Sequence, residues 1–205
     1  MVENISIMGY LKKNLVGLVI LLSLPSLAQE KMDFEISVAG FSIGEMTAVK
    51  TKKGDESFYD LKSEVSFWFF GKVNVDYSIN SHFKGEQLIK AKAETKSNKG
   101  EFASDIVWKN DRYVVEATSY QYEKDTVINN PLFFSSARLY FEEPVGQKIF
   151  MAENFGLPSP ITKYKDYYEV NVNGNKNRFY YENGKFLKAV MQSPIKNYVI
   201  KRKSP

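Results

Sequence analysis

An alternation of apolar and polar residues with a period of two runs through most of this sequence, and it constrains the fold more than any other feature. It is clearest in residues 57–83, where two alternating stretches flank the aromatic run Phe-Trp-Phe-Phe at positions 67–70 and then Gly71. Apolar side chains such as Tyr59 in the first stretch and Tyr77 in the second share the same parity within their stretches. This period is typical of half-buried β-strands, and the glycine-containing corner predicts an antiparallel hairpin.

Turn signals divide the rest of the chain into similar stretches. They recur about every 10 to 14 residues, which is the spacing expected of a meander. The strongest of them is Asn183-Gly184, which lies between two alternating stretches. We therefore expect an all-β protein, in which a single antiparallel meander closes into a barrel-like or strongly curved sheet of about 10–12 strands.

One segment departs from this alternation. Asn130 precedes Pro131, which suits the first turn of a helix, and Pro144 would end that helix. Four apolar residues between them fall at helical spacing: Phe133, Ala137, Tyr140 and Phe141. The pattern predicts one short helix near residues 131–142 that plugs or covers one end of the sheet, with a mobile lid over a ligand site as the alternative.

Two further segments carry glycine or proline signals. Gly40 and Gly44 lie close together in a strand-like stretch, which predicts a β-bulge or a close approach of two backbones. Residues 154–160 contain one glycine and two prolines, and we expect a loop there. Neither segment indicates a second domain.

The N-terminal segment has the order of a secretory signal peptide. Two lysines precede an apolar run at residues 15–24, and small residues follow up to Ala28. The run is about half as long as a membrane-spanning helix. We therefore predict a signal peptide at residues 1–28 and a single antiparallel β-domain at residues 29–205. The product would be periplasmic or secreted, and not an integral membrane protein after cleavage.

Composition argues against several functions. The formal charge is +4, and the lysines are spread along predicted strands and turns, so we expect no nucleic acid partner. The chain has no cysteine and a single histidine, His82, which excludes a cysteine nucleophile and metal sites built from several such ligands. The adjacent carboxylates Glu142 and Glu143 point apart on a helix or a strand. We predict that the protein is not an enzyme and that it has no catalytic residues, no bound metal and no cofactor.

Binding fits the composition better than catalysis does. Aromatic residues make up 15% of the chain, and inward side chains of a curved sheet either fill a core or leave an elongated apolar cavity. For a cavity, the predicted ligand-binding residues are Tyr59, Trp68, Phe70, Tyr77, Phe102, Trp108, Phe133 and Tyr140. This interpretation gives a non-enzymatic barrel-like domain that binds an apolar or amphipathic, lipid-like molecule of the cell envelope.

The aromatic corner at residues 67–70 supports a second hypothesis. Consecutive strand residues face opposite sides, so the four rings cannot all enter one core. Either some are exposed at a rim beside Lys72, where they would contact a membrane surface or a protein partner, or they are buried under the predicted helix. The alternative function is an envelope structural or protein-interaction module. A carboxylate-based hydrolase comes third, because it needs two inward carboxylates within reach of each other.

The sequence also resembles a known family at several places. They are the opening strand with Gly40, the step Phe-Ser-Ile-Gly-Glu at residues 41–45, the aromatic corner, and residues 131–141, which end in Ala-Arg-Leu-Tyr-Phe. These features are similar to a family of uncharacterised exported β-domains of Gram-negative bacteria, a domain of unknown function. The resemblance implies a periplasmic, largely antiparallel, barrel-like fold with one short helix. It implies no activity and assigns no functional residue.

Overall fold

The alternating stretches form β-strands throughout the computed structural model, which describes residues 28–68, 71–98, 100–119, 122–193 and 196–204. Two short 3-10 turns, Arg138–Tyr140 and Glu153–Phe155, interrupt them. The strands are β1 (Ala28–Val38), β2 (Phe41–Lys53), β3 (Glu56–Trp68), β4 (Lys72–Lys84), β5 (Gln87–Ser97), β6 (Gly100–Lys109), β7 (Arg112–Ser119), β8 (Tyr122–Ile128), β9 (Ile149–Ala152), β10 (Leu157–Lys163), β11 (Tyr168–Val172), β12 (Asn175–Glu182), β13 (Lys185–Met191) and β14 (Tyr198–Arg202).

These fourteen strands form one antiparallel sheet in the order β8-β7-β6-β5-β4-β3-β2-β1-β14-β13-β12-β11-β10-β9. The first strand pairs with the last, Ile36 with Ile200, so β1 and β14 lie in the middle of the sheet. Within the described ranges β8 and β9 are the edges and do not pair, so the sheet curves without closing. The predicted all-β meander is confirmed, with somewhat more strands than the turn spacing indicates.

Two arms of this sheet, β1–β8 and β9–β14, enclose a shared apolar interior. Along β1, Met32, Phe34 and Ile36 are buried while the residues between them are exposed, so the period-two pattern marks the inner face. The ring of Phe34 packs edge-on against Tyr140 at 5.6 Å and against Phe186 of the other arm at 5.5 Å between centroids. Burial of each such side chain stabilises the fold by roughly 1.5–3 kcal/mol.

The backbone conformations of the turns agree with the sequence. At Asn183-Gly184 both residues have positive φ, 52° and 75°, as a type I′ hairpin turn requires. The predicted close approach at Gly44 is also confirmed, because β1 and β2 change register next to Ile36 and a Cβ atom on Gly44 would lie 2.2 Å from the Glu64 carbonyl oxygen. A larger residue there would push β2 away from β3.

The segment predicted as a helix, residues 131–142, contains only the turn Arg138–Tyr140. The residues before this turn bond to distant strands instead: the Leu88 N–H donates to the Leu132 oxygen at 2.9 Å, and the Met151 N–H donates to the Phe134 oxygen at 2.9 Å. At these two oxygens the bonds to distant strands replace the i to i−4 bonds of an α-helix, which persist within this described segment only from the Leu139 N–H to Ser135 and from the Glu142 N–H to Arg138. Tertiary contacts thus reduce the predicted helix to a single turn.

A strand replaces the loop predicted at residues 154–160, where β10 begins. The first half of β10 pairs with β9 and only the second half pairs with β11. The Ile161 N–H donates to the Lys148 oxygen on the β9 side, so by alternation the nitrogen atoms of Pro158 and Pro160 point away from β9, where no donor is needed. The prolines therefore fit this strand without breaking its hydrogen bonds.

The predicted signal peptide, residues 1–28, lies outside the described residues except for Ala28, the first residue of β1. Its role and the domain boundary that follows it stay predictions. In the described part of the chain, no helix has the length and hydrophobicity needed to cross a membrane.

Candidate functional site

The two ends of the curved sheet differ, and the candidate site lies between them. Because successive hairpins of a meander lie at opposite ends, the connections after β1, β3, β5, β7, β11 and β13 surround one end, which we call the mouth. The connections after β2, β4, β6, β10 and β12 surround the other end, which we call the closed end. Residues 132–143, which we call the plug, fill the interior there with buried side chains such as Leu132, Phe134 and Leu139.

Both arms of the sheet hold the plug by hydrogen bonds. The buried Tyr113 hydroxyl of β7 donates to the Leu88 oxygen at 2.7 Å and accepts from the Leu132 N–H at 3.0 Å. On the other arm, the Tyr181 hydroxyl donates to the Leu139 oxygen at 2.6 Å. The plug therefore forms a floor inside the sheet and does not cover the mouth as a lid would.

Glu142 and Glu143, the adjacent carboxylates, tie the end of the plug to opposite arms. The Lys50 ammonium lies 2.5 Å from Glu142, and the Tyr59 hydroxyl donates to the same carboxylate at 2.8 Å. Glu143 instead accepts from the Tyr168 hydroxyl of β11 at 2.9 Å. The two side chains point apart, as the sequence predicts, and each is held by its own partners.

Arg138 completes a charged network at the closed end. Its guanidinium donates to Glu142 at 2.9 Å and to Glu86 at 2.8 Å. The same group lies over the rings of Phe83 and Phe134, 5.4 Å and 5.1 Å from their centroids. Its charge is thus met both by carboxylates and by the negative faces of two aromatic rings.

These contacts set the pKa values of the network. Burial raises the pKa of the Glu142 carboxyl, but the hydrogen bond from Lys50, the charge of Arg138 and the Tyr59 hydroxyl outweigh burial and hold that pKa below its usual range. Burial, followed by the charge of Glu142, raises the pKa of Tyr59. Glu142 is therefore ionised and Tyr59 is neutral at neutral pH, which suits the hydrogen bond between them.

A third carboxylate, Glu153, is fully buried between the plug and the β1–β8 arm. It accepts from the Ser81 hydroxyl at 2.8 Å, the Ser136 N–H at 2.7 Å and the Ala137 N–H at 3.2 Å. The Ser104 hydroxyl donates to its backbone oxygen. Both carboxylate oxygens have partners, so Glu153 fixes its 3-10 turn against β4 and β6. No pattern in the sequence distinguishes Glu153 from an exposed glutamate.

A cavity of about 890 Å³ lies between the plug and the mouth. Small-molecule sites typically measure about 300–1,000 Å³. Leu139 and Tyr140 of the plug contribute to its floor. Its walls come from both arms and include Ile36, Met46, Val65, Val75, Phe150, Val170, Val172, Phe179, Met191 and Ile200. Of the described residues that line the cavity, Lys196 at the mouth is the only one with a charged side chain.

Neutral hydroxyl and amide groups supply the other polar features of the cavity. The Tyr77 hydroxyl donates to Asn154 Oδ1 at 2.6 Å. Burial, followed by the charge of Glu153, raises the pKa of Tyr77, and burial raises the pKa of Tyr140. Both phenols stay protonated at neutral pH. Across the described residues, no group of three or more His, Cys, Asp or Glu side chains is placed to hold a metal ion.

Three of the predicted ligand-binding residues line this cavity. Tyr77 lies on its wall, Tyr140 on its floor, and Trp68 at its mouth. Phe70 falls outside the described residues. That these side chains contact a ligand stays a prediction.

The other four predicted residues do not line it. Tyr59 is buried at the closed end, and Trp108 packs against Tyr113 at 4.7 Å between ring centroids. Phe133 of the plug is 44% exposed, and Phe102 is 42% exposed beside a separate pocket. The prediction for these residues rests on parity or helical spacing alone, which indicates only that a side chain faces inward. Whether an inward side chain lines the cavity or packs at the closed end depends on the position of the residue along its strand.

The described part of the aromatic corner, Phe67 and Trp68, lies at the mouth and is not buried under a helix, while Phe69 and Phe70 fall outside the described residues. Phe67 lines the cavity, whereas Trp68 is 79% exposed and is paired with Lys72. Phe41, at the start of β2, is also exposed, at 76%. Sequence reasoning missed Phe41 and Lys196, because both lie beside turns, where alternation carries no information.

Comparison with known proteins bears on the fold. A family model described as "Domain of unknown function (DUF6134)" matches residues 34–203. The comparison with curated proteins gives no match. Among solved structures, the chain is similar to a beta-barrel-like protein of domain of unknown function DUF1849 from Brucella abortus, with a TM-score of 0.58 and 10% identity over 88% of this chain and 98% of that chain. At this identity, the likeness shows a barrel-like fold alone.

Proposed function

The chain belongs to the DUF6134 family, a domain of unknown function, and we propose that it is a non-enzymatic, barrel-like domain that binds an apolar or amphipathic molecule. One observation carries this proposal: the side chains of the curved sheet leave a cavity of about 890 Å³ open toward the mouth. Protein interiors are close-packed, and an empty apolar space forfeits the contacts that a ligand would supply.

The lining favours a ligand with one apolar chain and an anionic head. The apolar walls of the cavity suit the apolar chain of the ligand, because each buried CH₂ group contributes about 0.8 kcal/mol to the free energy of binding. The phenols of Tyr77 and Tyr140 carry no charge at the inner end. Lys196 lies at the mouth, where its ammonium would meet a carboxylate or a phosphate. A lipid-like molecule would therefore enter tail first.

We place this function in the cell envelope, in the periplasm or outside the cell. The predicted signal peptide at residues 1–28 supports export, and the resemblance to exported β-domains of Gram-negative bacteria agrees with it. A lipid-like molecule exposes apolar surface to water, so it gains free energy from a protein cavity in an aqueous compartment.

The direct test is a titration with dansyl-labelled undecanoate, whose fluorescence increases in apolar surroundings. Val75 lines the cavity, and Val75→Trp should weaken binding at least about tenfold, which corresponds to about 1.4 kcal/mol. Val114 lies on the exposed face of β7, and Val114→Trp is the matched control, with unchanged affinity. Equal affinities for the two variants, or no binding by the unsubstituted protein, would refute the proposal.

A second titration tests the anionic head. Lys196→Gln should weaken undecanoate binding about threefold, as expected for an exposed ion pair. The neutral undecanamide should bind the variant and the unsubstituted protein equally. Equal weakening of both compounds would contradict the assignment of the head group to Lys196.

An envelope structural or interaction module is the second candidate function, and the exposure of Trp68 favours it. Loss of co-purifying proteins on Trp68→Ala, with folding intact, would support this candidate. A carboxylate-based hydrolase has the least support. Glu142, Glu143 and Glu153 are each held by partners in the fold, and no Asp or Glu occurs among the described residues that line the cavity.

A further inference from the structure

The connections between strands differ in charge at the two ends of the sheet. Those at the closed end include the acidic residues Asp55, Glu86, Asp111 and Asp166. The six connections at the mouth contain no Asp or Glu in their sequence, and the last of them carries Lys196. The connection after β9 also runs on this side, and its one acidic residue, Glu153, is fully buried. An anionic partner would therefore meet no exposed turn carboxylate at the mouth.

Strand residues beside the aromatic corner continue this difference. Lys72 is exposed at the first position of β4. Asp76 is the fifth residue of β4 and Glu101 is the second residue of β6, and both are in register with Lys96 of β5. Each of these two carboxylates therefore has a lysine beside it, and Lys72 lies closer to the mouth than Asp76 does.

The same rim exposes the largest apolar surfaces. Phe41 and Trp68, at 76% and 79%, are the most exposed large hydrophobic side chains of the described residues. Phe41 is the first residue of β2 and Trp68 is the last residue of β3, and both line the cavity. Two large exposed rings therefore lie at the entrance of the cavity. An apolar cluster rimmed by charge marks an interaction surface.

We propose that the mouth docks on an anionic lipid surface, with Phe41 and Trp68 inserted among the headgroups and with Lys72 and Lys196 against lipid phosphates. Tryptophan is enriched at membrane interfaces, because its ring is apolar and its N–H is polar. Lysines close to an anionic leaflet add electrostatic attraction. The combination of exposed rings, lysines and turns without exposed carboxylates matches such a surface.

The biological role of this docking rests on the proposed ligand-binding function, but vesicle binding can be measured independently of ligand binding. A docked mouth would let an apolar chain pass between the bilayer and the cavity without crossing water. A rigid protein partner bound to Phe41 and Trp68 would obstruct the entrance of the cavity. A fluid bilayer would not obstruct it, and it is itself the source of the lipid-like ligand. We therefore favour a lipid surface as the occupant of the rim.

Vesicle binding followed by tryptophan fluorescence tests the proposal. The protein has two tryptophans, Trp68 and Trp108, and Trp108 packs against Tyr113 away from the cavity. In a Trp108→Phe variant, the emission reports on Trp68 alone. With vesicles of equal parts phosphatidylglycerol and phosphatidylcholine, we expect a blue shift and quenching by lipids brominated near the headgroup. Unchanged emission at saturating vesicle concentration would overturn the proposal.

Substitutions at the rim should remove this binding. The double variant Phe41→Ser/Trp68→Ser should no longer cosediment with the mixed vesicles. Lys72→Gln and Lys196→Gln should each weaken binding about fivefold. With vesicles of phosphatidylcholine alone, the lysine variants should match the unsubstituted protein. A lysine effect of the same size on these neutral vesicles would contradict the role of lipid charge.

Matched controls lie at the closed end. Phe133→Ser removes an exposed ring and Lys84→Gln removes an exposed lysine there, and neither should change vesicle binding. Equal losses in these controls would contradict docking by the mouth.

Val75→Trp separates docking from ligand binding, because it blocks the cavity and leaves the rim unchanged. We expect this variant to bind vesicles normally while losing dansyl-undecanoate. Loss of vesicle binding in Val75→Trp would contradict docking by the rim. If the unsubstituted protein binds dansyl-undecanoate but not anionic vesicles, the docking proposal fails alone, and a protein partner becomes the occupant of the rim.

Discussion

The mouth and the closed end are made of the same antiparallel hairpins, but different groups occupy the space between the strands. At the closed end, the plug fills the interior, and Glu142 and Glu153 are surrounded by hydrogen-bond donors. At the mouth the interior is open, and Phe41 and Trp68 face solvent. Stability and binding are therefore separated along the strands. Substitutions at the closed end should change the free energy of unfolding, and those at the mouth should change binding.

The largest expected effect compares two phenylalanines of neighbouring strands. Phe34 is fully buried against Tyr140 of the plug, and Phe34→Ala should lower the free energy of unfolding by about 3–5 kcal/mol, because it leaves a cavity. Phe41→Ala at the mouth should change it by less than about 0.5 kcal/mol. Urea unfolding followed by circular dichroism measures both. Similar losses for the two variants would remove the distinction between the ends.

A smaller loss is expected from the charged network of the plug. Glu142→Ala leaves Lys50 and the Tyr59 hydroxyl without their shared acceptor, and it should lower the free energy of unfolding by about 2 kcal/mol. Glu116, exposed on β7, supplies the control Glu116→Ala, with a change below about 0.5 kcal/mol. If Glu142→Ala is as stable as this control in urea, the plug is not held by its carboxylate.

The smallest effect concerns the acid sensitivity of the closed end. Because the pKa of Glu142 lies below its ordinary value of 4.5 in the folded protein, folding favours its ionised form. This stabilisation is complete above the ordinary pKa and is lost as the pH falls through the lower pKa of the folded protein. Glu142→Gln should therefore flatten the decline of the unfolding free energy below pH 4.5. Urea titrations at several pH values measure this slope, and an unchanged slope in Glu142→Gln would contradict this role of Glu142.

The strands and turns could be predicted because their causes are local. A strand with one face in water alternates residue by residue, as Met32, Phe34 and Ile36 do with the exposed residues between them. The turn at Asn183-Gly184 needs two residues that tolerate positive φ, and those two residues are adjacent in the sequence. The residues that determine a strand or a turn are only a few positions apart, so a local sequence pattern can predict these elements.

The plug and the position of the cavity could not be predicted, because they depend on distant residues. Glu142 binds Lys50 across 92 positions, and Glu153 binds Ser81 across 72. Parity predicts the same role for Tyr59 and Tyr77, yet Tyr59 lies at the closed end and Tyr77 lies on the cavity wall. The parity of a residue predicts which face of the sheet its side chain lies on. It does not predict how far along the strand the residue lies between the closed end and the mouth, and that distance decides whether the side chain contacts the plug or lines the cavity.

The most direct test of the account is a crystal structure of the protein with 11-bromoundecanoate, in which anomalous scattering locates the bromine atom. We predict a bromine peak inside the cavity near Tyr77 and Tyr140, with the carboxylate at the mouth near Lys196. A cavity without bromine in crystals soaked to saturation, or bromine bound only on the outer face of the sheet, would contradict the claim that this interior is a binding site.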